Sequence, residues 1–129
     1  MKYMLIMMAT KADFDWYAKW SKEDLQAQFA FMHAFNQQLK DSGAFVAAEG
    51  LAFPNEAKIV RAGSDGKPIT DGAFPAGKEF VAGYWIVNVK NAEEAYRLAA
   101  QASAAPGNKE RGNQPIEVRQ VMSGPPDLP

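Results

Sequence analysis

The chain has 129 residues, 47% of them apolar, and a formal net charge of −1. That length and apolar content fit one domain with its own core, and the charge carries no clustered basic face of the kind that nucleic-acid phosphates or anionic membranes require. Cysteine is absent and His33 is the single histidine, which excludes thiolate catalysis, disulfides, cysteine-based zinc sites and any motif needing two imidazoles.

The N-terminal run Met1 to Met8 is apolar but short, and charged Lys11, Asp13 and Asp15 follow it. A secretory signal or a membrane span is therefore not expected, and a cytoplasmic protein is. Residues 2–8 read as a strand apolar on both faces, with Tyr3, Leu5 and Met7 on one and Met4, Ile6 and Met8 on the other, a pattern of strands covered on both sides. Residues 10–20 read as a connector rich in aromatics (Phe14, Trp16, Tyr17, Trp20).

Ser21 is expected to cap a helix, with Glu23 and Asp24 suited to its positive end. Leu25, Phe29, Met32, Phe35 and Leu39 recur at helical spacing as the buried stripe, and Gly43 ends the helix in a left-handed conformation. Asn36 is a polar group on that apolar face, and His33 lies toward its edge. Residues 44–51 read as a second strand, and Phe53-Pro54-Asn55 as a turn. Residues 57–62 and 67–70 suggest a hairpin about Gly63-Ser64-Asp65-Gly66, whose Asp-Gly pair suits a tight turn. A turn-rich loop over 71–77 leads into an apolar strand over 80–89. Asn91-Ala92-Glu93-Glu94 starts a helix over 91–103 with a small-residue stripe of Ala95, Leu98, Ala99 and Ala102. A polar loop over 105–113 precedes a last strand over 115–122, and residues 123–129 form an extended Pro-rich tail.

The order β, α, β, hairpin, β, α, β over residues 1–122 is an α+β, ferredoxin-like βαββαβ pattern with an inserted hairpin, its helices on one face of an antiparallel sheet. The helix-free face is also apolar, so a homodimer with sheets packed face to face is expected. The competing arrangement has the hairpin or tail cover that face within one chain.

Several short patterns occur in a joint order: Met1-Lys2-Tyr3-Met4-Leu5, Ala48-Glu49-Gly50-Leu51, Pro54, Ile59-Val60-Arg61, Thr70-Asp71-Gly72-Ala73-Phe74, Lys78-Glu79, Gly83-Tyr84 and Ile116-Glu117-Val118-Arg119. Together they resemble the YCII-related proteins over roughly residues 1–121, in particular the subgroup named for an Asp-Gly-Pro-Phe motif. The resemblance implies a dimeric α/β-barrel of ferredoxin-like halves. Some members of the family accompany alternative sigma factors. Relatives in the wider superfamily include small isomerases, oxygenases and dehalogenases that work in a cleft beside the sheet, and the narrower YCII branch is linked to a His–Asp pair, whose His would correspond to His33. The motif proline is replaced here by Ala73.

The candidate site residues each have two readings. Asp71 and Gly72 are a turn, or place a carboxylate at a cleft mouth. Lys78 is half of a surface pair with Glu79, or binds an anionic group. Glu49 is solvated, or reaches a cleft because Gly50 permits close backbone approach. His33 is structural, or a proton shuttle oriented by Asp71 or Glu49. Asn36 bonds a neighbouring strand, or shares a cleft with His33. Trp16, Trp20, Tyr84 and Trp85 are core or dimer contacts, or one or two of them line a pocket, and Arg61 is solvated or a carboxylate fork. The leading expectation is a small-molecule-binding dimer, capable of cofactor-independent acid–base chemistry through His33, Asp71 and Glu49, with Lys78, Arg61, Asn36 and Tyr84 binding substrate. The alternative is a non-catalytic module linked to sigma-factor transcription. A divalent ion on His33, Asp71 and Glu49 matches no recognised ligand spacing, so neither metal nor cofactor is expected.

Overall fold

A computed structural model describes residues 1–72, 79–107 and 113–124. The expectations for Ala73, Phe74 and Lys78, for the middle of the 105–113 loop and for the end of the tail lie outside the described residues. The elements are β1 (Lys2–Ala9), α1 (Lys11–Tyr17), α2 (Lys22–Asp41), β2 (Phe45–Gly50), a 3-10 turn (Pro54–Glu56), β3 (Lys58–Ala62), β4 (Pro68–Gly72), β5 (Phe80–Asn88), α3 (Ala92–Ser103) and β6 (Ile116–Gln120). The architecture is α+β, with a four-stranded antiparallel sheet in the order β2-β5-β1-β6 and a separate two-stranded sheet of β3 and β4.

The two central strands pair from Lys2 with Asn88 to Ala9 with Phe80, and the register shifts between Met7 and Met8. Trp85 faces α2, because its indole N–H donates to Asn36 Oδ1 at 2.7 Å. Successive strand residues point to opposite faces, so Leu5, Tyr3 and Val87 join Trp85 on the helix side. There they pack with Phe35 and Leu39 of α2 and with Ala95, Leu98, Ala99 and Ala102 of α3. Three alanines in the α3 stripe let that helix lie close on the strands. Met4, Ile6, Tyr84 and Ile86 therefore occupy the opposite face, where Ile6 is buried and the other three are half-buried.

Helix α2 starts as expected, with a reciprocal capping box between Ser21 and Asp24. Its buried stripe differs from the expectation at one place. Phe29 is 61% exposed, and Gln28 takes the inward position at 8% exposure. The reason is rotational: Gln28, Phe35 and Leu39 fall within one narrow face of a 3.6-residue helix, and Phe29 sits about 100° round from Gln28. Gly43 has φ +79° and Gly66 φ +80°, the left-handed conformations that end α2 and close the β3–β4 hairpin.

Two other expectations need correction. The connector over 10–20 contains α1, whose first turn is held by a capping box between Thr10 and Asp13. Asp71 and Gly72, expected in a loop, are the last residues of β4, paired with Ile59 and Lys58.

The Trp85–Asn36 bond ties the central strand to α2 across the core. Replacing Asn36 by Leu leaves the indole N–H without its acceptor and is expected to destabilise the fold by about 1–3 kcal/mol. Denaturant unfolding measures this, and the same replacement made in a Trp85→Phe background should cost clearly less. Equal costs in both backgrounds would show that the bond contributes nothing.

Candidate functional site

A concavity lies at the end of the sheet where β1 and β5 lose register. Its volume is about 220 Å³, and its described lining comes from β1, α1, α2, the segment after β2, β5 and Gln114. A local packing chain produces it. The capping box gives α1 its start, and α1 carries Phe14 and Tyr17 onto Phe53, with edge-on ring contacts at 5.0 and 5.5 Å. Tyr17 also packs against Trp20 at 4.7 Å. Aromatic pairs of this geometry contribute about 0.5–1.5 kcal/mol each beyond their burial, enough to hold a seven-residue helix that would not persist alone. Leu51 N–H donates to Ala82 O at 3.0 Å, which fixes the 51–54 segment along β5 and brings Phe53 to α1.

The polar groups in the lining are few. Gln28 and Gln114, 8% and 6% exposed, are the buried polar residues among the described ones, and both line this cavity. Gln28 Oε1 accepts from Gly107 N–H at 3.1 Å. Gln114 Nε2 donates to the carbonyl oxygen of Met8. Asp13 also lines the cavity, and its Oδ2 accepts from the Thr10 N–H at 2.8 Å and from the Thr10 hydroxyl at 3.1 Å. Among the described lining residues there is no Lys, Arg or His.

Trp20 closes one wall. A Cβ on Gly107 would collide with its six-membered ring, so glycine at 107 is what lets the backbone reach Gln28 while the indole stays in place. The Trp20 indole N–H is buried without a hydrogen-bond partner among the described residues. Such a group costs about 1–3 kcal/mol.

Of the expected site residues that the structure describes, none lines this cavity. Asn36 is engaged by Trp85. Arg61 and Asp71 come together in a diagonal cross-strand ion pair at 3.2 Å on the hairpin, both exposed. Glu49 pairs with Tyr84 and so projects from the helix-free face, next to that ring. His33 is exposed on α2, on the other side of the sheet. One protomer thus brings Arg61 to Asp71 and Glu49 to Tyr84, but sets His33 and Glu49 on opposite sides of the layer. Among the described residues no cluster of three or more His, Asp or Glu could hold a metal ion.

Gln28, Gln114, Phe14 and Tyr17 were not singled out as site residues in the sequence. Gln28 had a signal: a carboxamide at an inward helical position, spaced 7 and 11 residues from Phe35 and Leu39. Gln114, in a polar loop before a strand, had none.

A search of curated proteins found no match. A family model described as the YCII-related domain matches residues 1–111, which span β1 through α3 and most of the cavity's lining. The chain belongs to the YCII-related family.

Proposed function

We propose that this protein is a cytoplasmic small-molecule-binding homodimer that takes its ligand in the cavity between α1, Phe53 and the two buried glutamines. The observation that carries this reading is the convergence of the two buried polar side chains on one aromatic-walled space. Ligand sites are mostly apolar concavities with a small number of placed polar groups, whereas core polar groups are ordinarily satisfied inside the packing. An engineered apolar cavity of roughly 150 Å³ holds benzene, so about 220 Å³ takes one substituted ring.

The finer architecture in this reading is a ferredoxin-like domain over residues 1–122, of the subgroup named for the Asp-Gly-Pro-Phe motif, dimerised through its helix-free face. The strand order supports the first part, since β1 and β2 each lie antiparallel to β5 between them. The apolar row of Met4, Ile6, Tyr84 and Ile86 supports the second. Acid–base chemistry by His33 with Glu49 needs groups that one protomer holds on opposite sides of the sheet, so that part rests on a second subunit, and Asp71 is engaged by Arg61. A non-catalytic role linked to sigma-factor transcription needs no such concavity, and its presence favours the ligand-binding reading over it.

Ala82 lines the cavity, and Ala82→Phe should fill it. In thermal-shift titrations with single-ring aromatic molecules, the native protein is expected to be stabilised and the variant not, with circular dichroism unchanged. A variant that responds like the native protein would place the ligand elsewhere. His33→Gln and Glu49→Gln are expected to leave these titrations unchanged; loss of binding in either would restore the acid–base site. Ile86→Arg puts a charge on the helix-free face. Light scattering at micromolar concentration should find the native chain dimeric and the variant monomeric, and a native monomer would remove the dimer.

A further inference from the structure

The two glutamines also point to what the cavity recognises, an inference that rests on the ligand-binding reading above. Each carboxamide has one end fixed by backbone. Gln28 gives its oxygen to the Gly107 N–H, and Gln114 gives its amide nitrogen to the Met8 carbonyl. The remaining ends are opposite in character: Gln28 Nε2 is a pure donor and Gln114 Oε1 a pure acceptor. Neither has a hydrogen-bond partner among the described residues. Because the first end of each amide is committed to a group of known polarity, the orientation of both carboxamides is set by chemistry as well as by coordinates. An amide turned the other way would oppose two donors at Gly107 and two acceptors at Met8.

The walls narrow the ligand further. The rings of Phe14, Tyr17, Trp20 and Phe53 supply flat apolar walls. We infer that the cavity selects a planar single-ring molecule bearing both an acceptor and a donor, an aromatic amide or lactam, with the ligand's carbonyl accepting from Gln28 Nε2 and its N–H donating to Gln114 Oε1. A site built to bond such a pair rejects analogues lacking it, because its own buried groups are then left unpaired.

Three probes of similar size separate the terms: benzamide, benzoate and toluene, titrated into the full chain and followed by amide chemical shifts. Benzamide is expected to bind at least about tenfold tighter than either of the others. Gln28→Glu keeps the oxygen that accepts from Gly107 and removes the free donor. It should weaken benzamide about tenfold and leave toluene within about threefold. Gln114→Met, which removes the acceptor oxygen, should do the same and serves where the first variant fails to fold. Toluene bound as tightly as benzamide, benzoate bound more tightly, or benzamide unaffected by both substitutions would overturn the donor–acceptor assignment while leaving the cavity as a binding site. If none of the three probes binds, the ligand-binding reading itself falls, and this inference with it.

Discussion

The constraint on which the molecule depends is that its two central strands are apolar on both faces. β1 and β5 run side by side through the sheet, and each alternates Leu5 or Trp85 toward the helices with Ile6 or Tyr84 away from them. A layer apolar on both faces is stabilised further when both are covered. The helix side is closed by the α2 stripe and by the alanines of α3, with the Trp85–Asn36 bond anchoring the contact. The other side is the reason for proposing a second subunit.

The same pair of strands creates the cavity. Ideal pairing ends at Met7, and beyond the register shift the strand ends diverge from a flat ladder. The space that opens is walled by α1 and Phe53, which pack on each other through ring contacts, while the Leu51–Ala82 backbone bond ties the 51–54 segment to β5. Binding groups placed on short peripheral elements over a rigid sheet are a common arrangement. Here the rigid part supplies Gln28 through α2 and the position of Gln114 through Met8, while the peripheral part supplies the aromatic walls.

Much of the fold was legible in the sequence. Strand alternation in 2–8 and 80–89, the Ser21 cap, the small-residue stripe of α3 and the Asp-Gly hairpin turn each reflect a local rule that the structure obeys. α1 was not legible, since seven residues with aromatics on several sides give no clear helical period, although Thr10 and Asp13 already formed a capping box. The candidate site was read less well. His33, Glu49, Asp71 and Arg61 attract notice because they are ionisable, yet chemistry at a site depends on convergence, which is a property of the fold. The structure shows Asp71 paired with Arg61 on an exposed hairpin and Asn36 occupied by Trp85. Gln28 was hidden by its neighbour: Phe29 is the more hydrophobic residue, but Gln28 has the inward angle.

The most direct test is a crystal structure of the protein grown with saturating benzamide. The account predicts the ring in the cavity against Phe53 and Trp20, with its carboxamide oxygen within hydrogen-bond distance of Gln28 Nε2 and its nitrogen within reach of Gln114 Oε1. A ring bound instead on the helix-free face beside Glu49 and Tyr84, with the space between α1 and Gln28 holding only solvent, would contradict it.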